Sequence, residues 1–213
     1  VRAVDRLTMT VSEGGRASLL GESGCGKSVL ALALLNLLPK NARVTGIISV
    51  DGFDMTNPET ARQLRGGTIA LCWSKAKRFF NPVLTIGDQI VEAYPTHHPG
   101  KGREGKEKGL ALLARLGFGD PKAVFDSYPF QLSGGMNQRA MIAMSMINDP
   151  TALIADEPTR GLDDENRDKV VAALAALSGI TLLLITHDID CAIALSTDTY
   201  IMKAGVIVDR GPS

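Results

Sequence analysis

The sequence is poor in the features that mark several classes of protein. Aromatic residues make up only 5% of its 213 residues, which disfavours a surface that stacks on nucleic-acid bases. Its 23 basic side chains balance 23 acidic ones, so no global charge points to nucleic acid or anionic lipid. Only three cysteines occur, Cys25, Cys72 and Cys191, without metal-ligand spacing. An odd number of distant cysteines predicts reduced thiols, which are typical of a cytoplasmic protein.

The sequence also lacks a signal-peptide pattern and an apolar run that would suit a bilayer. Its longest uncharged stretch covers residues 170–186, and Ser178 and Gly179 divide that stretch into an alanine-rich half and a β-rich half. A membrane span needs about 20 consecutive apolar residues. A buried helix followed by a buried strand therefore explains the stretch better, and we expect the chain to be soluble by itself.

The remaining pattern predicts one α/β domain with an inserted helical part. A helix is expected at residues 29–38, ended by Pro39, and a helical region extends from about residue 86 to 148. Apolar runs between turn residues predict strands and a terminal hairpin: 1–11, 17–20, 46–50, 68–73, 152–155, 181–186, and 199–202 paired with 206–208.

A loop is expected to interrupt the helical region at residues 95–109. It contains His97, His98 and several lysines and glycines, so a metal or phosphate site is one interpretation. We favour a solvated connection, because the glycines of this loop fix no geometry for a ligand.

The most informative motif is the stretch at residues 21–28, which fits the pattern G-x-x-x-x-G-K-[ST]. It consists of Gly21, Glu22, Ser23, Gly24, Cys25, Gly26, Lys27 and Ser28. It follows a strand candidate and precedes a helix candidate, the context in which this pattern cradles phosphates. Glycines let backbone N–H groups point at the anion, and the helix N-terminus faces it as well. Lys27 is expected to reach the β- and γ-phosphates, and the Ser28 hydroxyl to bind Mg²⁺.

Two further strand candidates end in residues suited to nucleotide chemistry. Asp156 and Glu157 follow the apolar run at 152–155, where an aspartate can hold Mg²⁺ and a glutamate can polarise an attacking water. His187 follows the run at 181–186, where it can contact the γ-phosphate. The alternatives are an acidic turn and a packed or surface histidine.

A second candidate anion site lies at Ser133, Gly134 and Gly135, just before an apolar helix candidate. Free N–H groups and a hydroxyl at a helix N-terminus suit a phosphate. One nucleotide does not need two such sites from one chain, so this turn is expected to serve a nucleotide bound by another subunit. A glycine-rich helix cap is the alternative.

Together these motifs resemble the nucleotide-binding subunit of ATP-binding-cassette (ABC) transporters over nearly the whole chain. The resemblance assigns residues 21–28 to the Walker A loop, 153–157 to Walker B, 160–163 to the D-loop, 132–136 to the LSGGQ signature and His187 to the switch histidine. The residues at 81–87, 128–131 and 148–150 resemble the corresponding segments in the ATPase subunits of importers of the oligopeptide, dipeptide and nickel type.

The resemblance implies a P-loop NTPase core of the ABC type within a single domain at 1–213. It implies an antiparallel β portion near the N-terminus and a helical subdomain at 85–148. It also implies that ATP and Mg²⁺ are cofactors, that Glu157 is the catalytic base and that His187 is the sensor. Two ATPase subunits, identical or not, would close head-to-tail, so that Ser133 and Gly135 of one face the γ-phosphate at Lys27 of the other.

The partners implied by the resemblance are membrane permease subunits, which the region at 79–90 would contact, and indirectly a solute-binding protein. The expected location is the cytoplasmic face of the inner membrane. The transported substrate would be a peptide, nickel or a metallophore complex.

The sequence departs from the family pattern at two places. Ser74, followed by a basic segment, stands where the family usually has a glutamine that contacts Mg²⁺. No aromatic residue precedes Phe53, so no adenine-stacking residue is assigned, and the chain is expected to be truncated at both ends. Two alternatives stay open: a hydrolysis-poor partner subunit in a heterodimer, suggested by Ser74, and a soluble ABC ATPase acting on nucleic acid or ribosomes.

Overall fold

A six-stranded sheet lies at the centre of the structure, a computed structural model that describes residues 2–94 and 96–213. The strands are β1 Arg16–Leu20, β2 Ser49–Val50, β3 Phe53–Asp54, β4 Ile69–Cys72, β5 Ala152–Asp156, β6 Thr181–Thr186, β7 Asp198–Lys203 and β8 Val206–Pro212. The central sheet has the order β4-β5-β6-β1-β7-β8, in which only β8 runs antiparallel to its neighbour. The other two strands, β2 and β3, form a small antiparallel sheet.

Helices cover the sheet and fill the connection between β4 and β5. They are α1 Lys27–Leu34, α2 Pro58–Leu64, α3 Ile86–Glu92, α4 Gly102–Arg115, α5 Pro121–Asp126, α6 Gly134–Met146, α7 Asp164–Ala175 and α8 Ile189–Leu195, with short 3-10 turns at Ala76–Arg78 and Pro129–Gln131. Helices α3 to α6 thus form one helical segment inserted between two neighbouring strands of the sheet.

The core consists of two clusters, one on each face of the sheet. Leu153 and Ala155 of β5 point into the larger cluster with the inserted helices, whereas Ile154 points into the smaller cluster with α1. Successive residues of a strand face opposite sides, and here both sides are covered. Because both faces of the sheet are buried, the central strands are continuous apolar runs in the sequence.

Most predicted elements are present, with differences at their ends. Helix α1 stops at Leu34 rather than at residue 38, because Asn36 adopts a left-handed conformation at φ 51°. The N–H of Leu37 donates to the carbonyl of Leu32 and that of Asn36 to Ala33. This is a Schellman ending, for which asparagine is one of the suitable residues.

The strand predicted at residues 1–11 is wrong, because residues 2–15 contain no strand. Val4, Leu7, Met9 and Val11 do pack against the smaller core cluster, so the apolar pattern reports burial. Arg6 has φ 45°, which interrupts an extended backbone. Residue 1 lies outside the described residues.

The prediction of a loop at 95–109 is also wrong for the second half of that range, because α4 begins at Gly102. Gly105 and Gly109 lie inside this helix because they pack closely against Tyr94 and Ile90, where a Cβ would lie 2.9 and 3.1 Å from the nearest atoms. Tertiary packing therefore overrides the low helix propensity of glycine. Residue 95 lies outside the described residues.

The histidines of this segment pack against neighbouring residues. The His97 ring lies over Gly66 and Gly67, and the His98 ring stacks on Tyr94 at 4.2 Å between centroids. Within residues 2–94 and 96–213 no group of three metal-ligating side chains is found. Across the same residues no helix is long and apolar enough to span a bilayer.

We predict that Gly87→Ala destabilises the inserted helices. A Cβ at Gly87 would come within 2.5 Å of Phe125 Cγ. Such overpacking costs about 1–3 kcal/mol, more than the roughly 1 kcal/mol that alanine gains over glycine in a helix. Urea unfolding should show a lower midpoint than for Gly119→Ala, a control site where no described atom lies within 4 Å. Equal midpoints would show that Phe125 moves aside without cost.

Candidate functional site

Four neighbouring parallel strands end at the same edge of the sheet, and each is followed by a candidate site residue. The register pairs Leu20 at the end of β1 with Thr186 of β6, Ile185 of β6 with Asp156 of β5, and Ala155 of β5 with Cys72 of β4. The loop at 21–28, His187, Glu157 and Ser74 follow these strand ends. Ligands of open α/β sheets bind at this carboxyl edge.

The loop at residues 21–28 has the backbone that its glycines permit. Gly24 and Gly26 have φ 84° and 114°, a region that other residues rarely adopt. A Cβ at Gly21 would collide with the Met202 carbonyl, and one at Gly26 with that of Ala3. Gly26 is the N-cap of α1 and no described side chain caps this helix. Its first N–H groups are therefore available to an anion.

Lys27 is a buried cation whose side chain is held by hydrogen bonds to the loop at 21–28. Its side chain is only 5% exposed, and Nζ donates to the carbonyls of Gly21 at 2.6 Å and Glu22 at 3.0 Å. Nζ also lies 3.9 Å from Glu157 Oε1. A buried ammonium needs such partners, because desolvation of an unpaired charge is costly. The lysine thus closes the loop around the position that an anion would take.

Asp156 is a buried carboxylate whose burial raises its pKa, although the Ser28 hydroxyl and the Lys27 charge oppose the rise. Its Oδ1 has no hydrogen-bond partner among the described residues. Buried polar atoms are normally satisfied, so an orphan oxygen requires a reason. A divalent cation beside Ser28 and Asp156 would supply the missing partner.

Glu157 lies between Lys27 and His187. Its Oε2 is 2.7 Å from His187 Nδ1, its Oε1 is 3.9 Å from Lys27 Nζ, and it is 6% exposed. Its backbone has φ 50°, while its N–H donates to the Ile185 carbonyl at 2.7 Å. Left-handed conformations of non-glycine residues often occur at functional sites, where the surroundings hold the strain. The Glu157 carboxylate is therefore held in one position by its contacts with His187 and Lys27.

Ser74 follows β4 at the same edge and is half-buried, but no hydrogen bond joins it to Asp156 or to the loop at 21–28 within the described chain. The next residue, Lys75, has φ 56°. The buried Gln138 of α6 holds this segment: its Nε2 donates to the Trp73 carbonyl at 2.7 Å, and its Oε1 accepts from the Ala76 N–H at 3.3 Å. The sequence analysis did not single out Gln138, because it lies in a run of three polar residues, 137–139, that gives no local sign of burial.

The turn at Ser133, Gly134 and Gly135 begins α6 away from the loop at 21–28. Ser133 caps the helix, with its Oγ accepting from the Met136 N–H at 3.2 Å. Ser133 and Gly134 are exposed, and no hydrogen bond between described residues joins this turn to residues 21–28. Within one chain, the two candidate anion sites are therefore separate.

These residues fit a nucleoside triphosphate with Mg²⁺ by their chemistry. The loop offers uncapped N–H groups and a buried ammonium, and Asp156 offers an unpartnered oxygen next to a hydroxyl. Carboxylate and hydroxyl oxygens are the ligands that Mg²⁺ prefers. The set thus combines an anion cradle with a cation site.

The chain is similar to proteins of known family. The family model described as ABC transporter matches residues 4–160. The chain is 38% identical over 216 residues to the dipeptide transport ATP-binding protein DppD of Haemophilus influenzae, covering 99% of this chain and 66% of that protein. It is 37% identical to DppD of Escherichia coli K12, with the same coverage. The chain thus spans about two thirds of the length of these curated relatives.

The fold is similar to that of solved ATP-binding cassettes. The structure described as a dimeric post-hydrolysis state of the ATP-binding cassette MJ0796 bound to ADP and Pi superposes with a TM-score of 0.86. It is 24% identical and covers 99% of this chain and 90% of that chain. At this identity the likeness establishes the fold, which agrees with the fold expected from the sequence.

Proposed function

Since this chain belongs to the ABC transporter family, we propose that it binds and hydrolyses ATP to power an importer. The observation that carries the proposal is the meeting of Lys27, Asp156 and Glu157 at one sheet edge. A phosphate cradle, a candidate cation ligand and a carboxylate in one buried place are the groups that phosphoryl transfer to water requires.

The proposed roles follow from the contacts of the chain's own residues. The N–H groups of residues 24–28 and Lys27 Nζ would bind the β- and γ-phosphates, and Ser28 and Asp156 would hold Mg²⁺. When bound, Mg²⁺ supplies charge neutralisation at the phosphate oxygens. Glu157 Oε would accept the proton of the attacking water, and His187 would hold that carboxylate in place through its 2.7 Å hydrogen bond.

The proposed assembly is a dimer of ATPase subunits on permease subunits. Because Ser133 and Gly134 are exposed and separate from the loop at 21–28, they suit a nucleotide bound by a second subunit. Phe79 and Val83, 54% and 74% exposed, lie in the region proposed to contact a permease. The subunit would act at the cytoplasmic face of the membrane, with a solute-binding protein delivering the substrate.

Peptides are the substrate class we propose, because two relatives with 37–38% identity are named dipeptide transport ATP-binding proteins. Nickel or metallophore complexes remain the second substrate class, from the sequence resemblance. Affinity purification of the chain from its own cells should recover a multi-span permease. Recovery of ribosomes or nucleic acid in its place would contradict the importer and support a soluble ABC ATPase.

A hydrolysis-poor subunit is a second candidate because of Ser74. We predict that Ser74→Gln raises ATP turnover about tenfold, the effect of roughly 1.4 kcal/mol, since the longer amide can reach the metal site directly. Turnover should be measured with the partner subunit present. Lys77→Gln, which removes a charge from the same segment, is the control. Equal turnover of wild type and Ser74→Gln would show that Ser74 does not limit hydrolysis.

A further inference from the structure

The turn that begins α6 is packed directly against the start of α7. A Cβ built on Gly135 would lie 2.7 Å from both Cβ and Cγ of Asn166 and would collide with its Oδ1. A Cβ built on Gly134 would lie 3.2 Å from Leu162. A Cβ atom essentially never comes within 3.0 Å of a heavy atom beyond its own residue and the chain neighbours of that residue. Asn166 therefore requires glycine at position 135.

The Asn166 side chain is held in this position by Asp163. The Asn166 N–H donates to Asp163 Oδ1 at 2.9 Å, and its Nδ2 donates to Asp163 Oδ2 at 2.8 Å. Both bonds also lower the pKa of Asp163, the N-cap residue of α7. Because Nδ2 is engaged by Asp163, the amide presents its oxygen to Gly135.

Two hydrogen-bonded turns connect this pair with Glu157. The Arg160 N–H donates to the Glu157 carbonyl at 3.1 Å, and the Leu162 N–H donates to the Thr159 carbonyl at 3.2 Å. Thr159 is buried. The path from the candidate base to Asp163 is thus a folded segment rather than a free loop.

The turn at 133–135 is also fixed from its other side. Asn137 is buried, and its Nδ2 lies 2.9 Å from the Pro129 carbonyl, 3.1 Å from that of Leu132 and 3.0 Å from that of Ser133. The turn is therefore held between two asparagines, of which only Asn166 belongs to the segment that follows Glu157.

We infer that Asn166 is a positioning residue that joins the turn at 133–135 to the segment 157–163 of the same chain. Its functional meaning rests on the proposed function, in which the turn and Glu157 serve two different nucleotides of the dimer. A displacement at Glu157 when one nucleotide is cleaved then reaches the turn that contacts the other nucleotide. Packed elements transmit such shifts because they are not continuously deformable.

The packing is tested by hydrogen exchange on the nucleotide-free protein. Asn166→Ala should raise the exchange rates of the Met136 and Asn137 amides, which donate to the Ser133 hydroxyl and carbonyl, about tenfold, because removal of the packed side chain lets this turn open locally. Asn57→Ala, which removes the two-bond cap of the distant α2, is the matched control and should leave these amides unchanged. Equal exchange of the Met136 and Asn137 amides in wild type and Asn166→Ala would overturn the positioning role.

The functional link is tested by rescue in a Glu157→Gln background. ATP-dependent association of this chain with its partner ATPase subunit, followed by light scattering, should weaken at least about tenfold when Gly135→Ala is added to the chain, and should recover when Asn166→Gly is added as well. A double variant as weak as Gly135→Ala would overturn the inference, because Gly135 would then be needed for another contact. Absence of association of the Glu157→Gln parent both with itself and with the partner subunit would contradict the proposed dimer, and the exchange rates would then decide the role of Asn166.

Discussion

Replacing Glu157 by glutamine should lower ATP turnover by about 10²–10⁴-fold while ATP binding persists. A positioned general base contributes a factor of this size, and an amide cannot accept the proton of the attacking water. Glutamine keeps the shape of the side chain next to His187 and removes a negative charge 3.9 Å from Lys27. Binding of the anionic nucleotide should therefore be retained or strengthened.

The measurement is steady-state phosphate release with the partner subunit present, together with the Kd of a fluorescent ATP analogue. Glu13→Gln, at an exposed turn before β1, is the matched control and should leave both quantities unchanged. If turnover of Glu157→Gln equals that of the wild type, Glu157 is not the base. A loss of ATP binding in Glu157→Gln would point to a structural role of the carboxylate.

Replacing Lys27 by methionine should weaken ATP binding about 10–150-fold. A hydrogen bond to a charged group contributes roughly 1.5–3 kcal/mol, and Lys27 Nζ already points into the loop through its bonds to Gly21 and Glu22. Methionine fills similar space, so the nucleotide-free protein should lose much less stability than binding energy. Lys27→Met should therefore lower the affinity for ATP much more than the free energy of unfolding of the nucleotide-free protein.

Thermal unfolding with and without Mg·ATP checks this separation. At a concentration of 100 times the wild-type Kd, ATP stabilises the wild type by about 2.7 kcal/mol, and about half to nine-tenths of this gain should vanish in Lys27→Met. Lys40→Met, which changes an exposed lysine after α1, should keep the full gain. A similar ATP-induced gain in Lys27→Met and wild type would contradict the phosphate contact of Lys27.

The central strands were predictable because burial on both faces leaves continuous apolar runs. The run at 181–186 matches β6 at both ends, and the turn at 203–205 connects β7 and β8. The elements that the sequence predicted wrongly depend on distant partners. Residues 2–15 stay outside the sheet, and α4 includes Gly105, which meets Tyr94, and Gly109, which meets side chains of α3 and α5.

The sequence by itself determined the glycine loop at 21–28 and the acidic pair after the run at 152–155. Both are local patterns, in which chemistry and backbone requirements fall within a few consecutive residues. The pattern of this glycine loop is recognisable without the rest of the chain, whereas the contacts of Gly21 with Met202 and of Gly26 with Ala3 depend on the fold.

Only the tertiary structure decided which of these residues meet. The strand order places β5 next to β6 and β6 next to β1, which brings Lys27, Glu157 and His187 within hydrogen-bond and ion-pair distance. The contact of Asn166 with Gly135 likewise joins two helices, α6 and α7, that are separated in the chain by strand β5. Such contacts depend on sheet order and helix packing, which are collective results of burying the whole core, so a local pattern cannot specify them.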